Sequence, residues 1–189
     1  MKKVGILGGT FDPPHMGHLI VANEVAEALM LDEVRLMPNH IPPHKKLNVK
    51  VTAENRLEMV MLAVESNPRL KPEPFEIGQE GTSYTYETIK ALREREPDVE
   101  FYFIIGADMI EYLPKWHKVD ELAQLIQFVG VKRPEYNEET EYPVLLVDIP
   151  QIDLSSSLIR EKLKSGKSIK YLVPEKVEKY IEENTLYES

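Results

Sequence analysis

The sequence predicts an α/β fold in which helices cover both faces of a parallel sheet. Three observations predict it. Short apolar runs of strand length alternate with segments whose apolar residues recur at helical spacing. The segments between them are short, with no repeat, low-complexity tract or long linker in the 189 residues. A chain of that length with 42% hydrophobic residues is large enough to bury a core on each side of a sheet.

The elements follow in order. Residues 4–7 (Val4, Ile6, Leu7) read as a buried strand stopped by Gly8-Gly9, and 18–30 as a helix carried by Ala22, Val25, Ala26 and Leu29. Residues 34–37 are the second strand. Residues 53–65 are the second helix, with Leu57, Val60, Met61 and Val64 on one stripe. A weaker strand is expected within 70–77. Residues 84–95 form a helix with Ile89 and Leu92 inward, and Ser83 or Thr85 is placed to cap it. Strands at 101–105, 128–131 and 144–147 flank a helix at 119–125. Two helices close the chain, at 154–164 and 174–183. Pro174 suits a first helical position, and Val177, Tyr180 and Ile181 form one stripe. No composition break marks a second domain, so residues 1–189 read as one. In such a sheet, ligands bind beyond the carboxyl ends of the strands, where the strand order reverses.

Composition narrows the function classes. The net charge is −9, a poor match to non-specific nucleic-acid binding, which needs a basic surface. It leaves small anionic substrates open, because these respond to the local field of a cleft. The absence of cysteine removes disulfides, thiolate zinc sites and cysteine nucleophiles, and fits a reducing cytoplasm. No apolar run is long enough for a membrane span, and Met1-Lys2-Lys3 leads into a strand rather than a signal peptide.

The segment Gly8-Gly9-Thr10-Phe11-Asp12-Pro13-Pro14-His15-Met16-Gly17-His18 carries most of the functional information. A strand, a glycine turn and a helix N-terminus present backbone N–H groups to an anion, and the helix dipole favours it. His15 and His18, three residues apart, face the same way. The patterns GxGxxG and GxxxxGK[ST] are absent. A second loop, from Met37 through Asn39, His40 and His44 to Lys45 and Lys46, is held open by Pro38, Pro42 and Pro43 and carries a basic cluster. A third segment, from Gly81 through Ser83, Tyr84 and Thr85 to Tyr86, opens a helix whose N–H groups, with the Thr85 hydroxyl, suit a carboxylate. A fourth contains Gly106, which allows close approach of a ligand, and Asp108, an acceptor for ribose hydroxyls. Tyr112 and the single tryptophan, Trp116, follow; a flat indole ring stacks well on a base. A fifth joins Ser155, Ser156 and Ser157 to Arg160, a donor set suited to polyphosphate.

These residues resemble the signature of the nucleotidyltransferase superfamily with its His-x-Gly-His motif. The long form GGTFDPxHxGH is similar to that of the bacterial nicotinate mononucleotide adenylyltransferases. The resemblance runs from Val4 to Arg160 in the expected order and implies a Rossmann-like domain. It also implies transfer of the adenylyl group of ATP to nicotinate mononucleotide, giving deamido-NAD and pyrophosphate. By the same resemblance ATP meets Gly8, Gly9, Thr10, Phe11, His15, His18, Gly106, Asp108, Arg133 of a Lys-Arg-Pro turn, Ser155, Ser156 and Arg160. Nicotinate mononucleotide meets Asn39, His44, Lys45, Thr85, Tyr112 and Trp116. His15, His18, Lys45 and Arg160 are the expected catalytic set, with Mg2+ carried by ATP and no metal site of the protein's own. The expected partners are these two small molecules, with no nucleic acid or membrane and room for a homo-oligomer, in the cytoplasm. Alternatives stay open at this point. A phosphopantetheine acceptor is opposed by Thr85 and Trp116, whereas nicotinamide mononucleotide is not decided. A metal-dependent hydrolase built on His15, His18, His40 and His44 lacks flanking carboxylates. A binding protein without turnover fits poorly with retention of both histidines, Lys45 and Arg160.

Overall fold

A computed structural model describes residues 1–40, 51–79, 81–132 and 139–188. Its centre is a six-stranded sheet, all parallel, made of β1 (Lys2–Gly9), β2 (Glu33–Pro38), β3 (Leu70–Pro72), β4 (Val99–Gly106), β5 (Gln127–Val131) and β6 (Val144–Val147). The spatial order is β3-β2-β1-β4-β5-β6. The chain therefore builds outward from β1 to one edge, returns, and builds outward again from β4. The order reverses between β1 and β4, which opens a crevice at their carboxyl ends.

The helices are α1 (Met16–Ala28), α2 (Ala53–Val64), α3 (Thr85–Arg95), the single turn α4 (Ala107–Ile110), α5 (Val119–Leu125), α6 (Ser156–Lys164) and α7 (Glu175–Glu183). Successive strand residues point to opposite faces, so each strand feeds two cores. Val4, Ile6, Phe101, Phe103 and Phe128 pack under α3 and α5. Val34, Leu36, Ile104 and Val129 pack under α1 and α2. A third apolar cluster joins the back of α2 (Met59, Ala63) to Ile159 of α6, Val177 and Ile181 of α7, and Leu186 and Tyr187. No described helix is long and apolar enough to cross a membrane.

Three expectations change. The weak strand within 70–77 shortens to Leu70–Pro72, followed by a 3-10 turn at Phe75–Gly78. Pro72 and Pro74 remove ladder donors, so pairing cannot continue. Neither Ser83 nor Thr85 caps α3: Tyr84 holds the cap position without a side-chain bond. Ser83 and Thr88 instead give their hydroxyls to the buried carboxylate of Glu76. The first helix starts two residues before its expected place, at Met16, with His15 as its cap residue.

An ion-pair group ties β2 to α3. Arg35 donates to Glu33, Glu73 and Glu96, and Arg95 donates to Glu73 and Glu96. Glu73 is 2% exposed, so its charge depends on both guanidinium partners. Hydrogen bonding from Arg35, then Arg95, holds the Glu96 carboxyl down at about 2.

Candidate functional site

A cavity of about 500 Å3 lies at the crevice between β1 and β4. Its wall includes Gly8, Gly9 and Thr10 at the end of β1, and Gly106 and Asp108 after β4. His15 and His18 stand at the start of α1, and Ser155, Ser156 and Arg160 at the start of α6. Two helix N-termini thus converge on one space, a combination that favours a polyanion.

The histidine pair is tightly built. The two rings stack with centroids 3.7 Å apart and planes 26° from parallel. The backbone N–H of His15 donates to His18 Nδ1 at 3.1 Å. A backbone N–H can only donate, so Nδ1 of His18 carries no proton and Nε2 does. His15 is 6% exposed, and burial pushes its imidazole down to about 4. Its Nδ1 is buried without a hydrogen-bond partner among the described residues. His15 is therefore neutral at physiological pH. The glycine between the histidines has a steric reason: a Cβ on Gly17 would sit 2.9 Å from both Cε1 and Nδ1 of His15. Phe11 is 2% exposed, and its ring lies edge-on to His18 at 4.8 Å. It supports the histidine from the core and does not line the cavity.

Across the cavity, Ser155 caps α6 by accepting from the Leu158 N–H at 3.2 Å, as its position predicted. Ser156 Oγ donates to the Pro13 carbonyl at 2.8 Å. Arg160 donates from Nη1 to the Asp12 carbonyl at 2.8 Å and from Nη2 to Ser157 Oγ at 3.2 Å. Both side chains thus also brace the glycine-motif loop. Gly106 leaves room for Asp108, whose Oδ1 lies 2.5 Å from where a Cβ would stand.

Of the residues expected to hold the mononucleotide, the described ones, Asn39, Thr85, Tyr112 and Trp116, are not among those that line this cavity. Asn39 follows β2 and donates its N–H to Gly9 O at 3.0 Å, which places it beside the glycine turn. Thr85 opens α3. Trp116 is half-buried, edge-on to Phe103 at 5.9 Å and to Phe128 at 6.2 Å. Tyr112 is 52% exposed, with Lys115 Nζ 5.2 Å from its ring centre. The Tyr84 and His117 rings meet at 4.5 Å, and Lys118 reaches Glu87 at 3.3 Å. The start of α3 and the 112–118 segment are therefore neighbours, forming a second region next to the cavity. His44, Lys45 and Arg133 lie outside the described residues.

Sequence reading missed one wall of the cavity. Ile149, Pro150, Gln151 and Ile152 line it, with Gln151 Nε2 donating to the carbonyls of Lys132 and Ile149. The available signal was position: this segment leaves the end of β6 and leads into the serine-capped helix. Arg56, 0% exposed, and Tyr187 were missed as well, since neither belongs to a motif.

The sequence matches the profile of the cytidylyltransferase-like family over residues 6–162. It is 57% identical over 189 residues to the nicotinate-nucleotide adenylyltransferase of Bacillus subtilis, covering all of both chains. It is 53% identical over 187 residues to the probable nicotinate-nucleotide adenylyltransferase of Enterococcus faecalis, covering 99% of this chain and 85% of that one. In structure it resembles the Plasmodium falciparum nicotinic acid mononucleotide adenylyltransferase complexed with NaAD. That match has a TM-score of 0.82 at 22% identity, over 99% of this chain and 98% of that one.

Proposed function

Because this chain belongs to the cytidylyltransferase-like family, and within it to the nicotinate-nucleotide adenylyltransferases, we propose that it adenylylates nicotinate mononucleotide with ATP in NAD biosynthesis. The observation that carries this reading is the cavity onto which the starts of α1 and α6 converge, with the stacked His15–His18 pair on one side and Arg160 with Ser156 on the other.

The reaction is a direct displacement. An acceptor phosphate oxygen bonds to the α-phosphorus of ATP as the α–β bridging bond breaks, and pyrophosphate leaves with the bond electrons. Such a transfer depends on positioning and charge stabilisation rather than on a protein nucleophile. The Nε2 proton of His18 and the neutral His15 ring contact the bridging and α-phosphate oxygens. Arg160, Ser156 and the N–H groups of the α6 start receive the leaving pyrophosphate, and Lys45 supplies a further cation. Gly8, Gly9 and Thr10 let the phosphates approach the backbone. Asp108 receives ribose hydroxyls, and the apolar side chains of 149–152 with Arg133 flank the adenine. Mg2+ carried with ATP would supply charge neutralisation on its phosphates. Among the described residues no three His, Cys, Asp or Glu side chains converge to hold an ion themselves. We place the reaction in the cytoplasm, where the cysteine-free sequence is at home.

The test is pyrophosphate release with ATP and a panel of acceptors. Nicotinate mononucleotide is expected to be used at least about tenfold better than nicotinamide mononucleotide, a gap of roughly 1.4 kcal/mol. The start of α3 bears no side-chain cap among the described residues, so its N–H groups and the Thr85 hydroxyl suit a carboxylate over an amide. Trp116→Ala should weaken both acceptors alike, because stacking ignores the substituent. Equal specificity constants would remove Thr85 as the carboxylate receptor.

Arg160→Lys keeps a positive charge and loses the planar fork that reaches Asp12 O and Ser157 Oγ together. It should lower kcat/KM for ATP by about tenfold, with the mononucleotide constant nearly unchanged. Varying each substrate in turn checks this. A change confined to the mononucleotide would move Arg160 to the other half of the site.

A further inference from the structure

The loop 10–14 cannot hold its own shape. Pro13 and Pro14 lack N–H donors, so the loop has few internal partners for its carbonyls. Phe11 adopts φ +50°, an uncommon conformation for an aromatic residue, which persists only where the surroundings enforce it. The enforcing contacts come from distant elements. Arg56 on α2 donates from Nη1 to Thr10 O at 2.8 Å and from Nη2 to His40 O at 3.0 Å. Tyr187 donates its hydroxyl to Asp12 Oδ1 at 2.5 Å, across a separation of 175 residues.

We propose that Arg56 and Tyr187 are positioning residues for adenylyl transfer, clamping the loop that presents His15 and His18 and tying it to the base of the mononucleotide loop at His40.

Two features separate this role from packing. Among the described residues, the fully buried Arg56 has no carboxylate within ion-pair distance and its Nε has no hydrogen-bond partner. A buried guanidinium costs stability that an apolar side chain of similar volume would not, so its retention points to what it holds. Its two acceptors also belong to different halves of the site. Thr10 leads into the histidines, and His40 precedes the loop bearing Lys45. Tyr187 meanwhile is anchored by the cluster of α6 and α7, so the same body that carries Arg160 fixes Asp12.

This inference rests on the adenylyltransferase reading. The experiment compares Tyr187→Phe and Arg56→Lys with the unaltered protein. It measures kcat, both KM values, the thermal midpoint, and the imidazole NMR signals of His15 and His18 without substrate. Tyr187→Phe should fold, lose roughly ten- to a hundredfold in kcat, and leave the mononucleotide KM within about twofold, since small displacements of reacting groups carry such penalties. Arg56→Lys, which lacks the planar fork that spans the two carbonyls, should lose kcat and also raise the mononucleotide KM. Both should shift the histidine signals. Unaltered kcat and signals in the folded variants would overturn the proposal. So would a loss explained by the unfolded fraction alone, or failure of both variants to fold, which would assign the contacts to stability. The NMR readout needs no turnover, so failure of the unaltered protein to form deamido-NAD would strike the functional reading and not the clamp.

Discussion

His18→Ala is expected to lower kcat by about a hundredfold or more while leaving both KM values within a few-fold, as for other preorganised donors aimed at developing charge. Negative charge moves to the bridging oxygen only as the phosphorus bond breaks, so a donor placed there is worth more in the transition state than in the ground state. The structure makes His18 such a donor without any change of protonation. Its Nδ1 is engaged by the His15 N–H, which leaves the proton on Nε2. The ring cannot turn away easily, being stacked on His15 and edged by Phe11. His18→Asn, which restores a neutral donor at shorter reach, should recover part of the loss. Steady-state kinetics decide the matter; a turnover number unchanged in His18→Ala would remove the residue from the mechanism.

Acid should destabilise the fold through His15, by on the order of 3 kcal/mol between pH 6.5 and pH 4. The sign follows from proton counting. Burial lowers the folded-state value from 6.5 to about 4, so between these limits the unfolded chain binds a proton that the folded chain refuses. Stability is therefore flat above pH 6.5 and falls as pH drops through the window. Glu76 acts oppositely, because burial, its main influence, raises its carboxyl and favours the protonated folded form at low pH. Glu96, held down at about 2 by hydrogen bonding from Arg35, adds a further loss as pH falls from about 4.5 towards 2. Denaturant unfolding of the unaltered protein and of His15→Gln across pH 4–8 isolates the histidine. The unaltered protein should lose stability relative to His15→Gln as pH falls below 6.5, and the difference between them should be constant above it. Parallel curves would show that His15 titrates normally.

Much of the fold was legible because its signals are short-range. The parallel strands and the helices between them fall within a few residues of their expected places, since apolar period and turn chemistry act over a few residues. Ser155 as a cap, and two histidines facing the same way at a helix start, followed from spacing; the stacking of their rings did not. Ser83 did not cap because its hydroxyl goes to a buried carboxylate, Glu76, whose position depends on how the 3-10 turn packs, and Thr85 did not because it is already the first helical residue after Tyr84. By its place in the motif Phe11 is assigned to ATP; in the structure its ring is buried in the core, edge-on to His18.

By itself, then, the sequence determined the order of elements, the acidic cysteine-free character, and the residues able to meet phosphate at strand ends. Only the tertiary structure decided which of those residues share one cavity, and which also brace its walls. Ser156 and Arg160 reach Pro13 and Asp12 across 143 and 148 residues, and Tyr187 reaches Asp12 across 175. Such contacts are set by how α2, α6 and α7 pack on one another. A loop with two prolines has too few donors of its own, so its carbonyls take partners from whichever elements packing brings near.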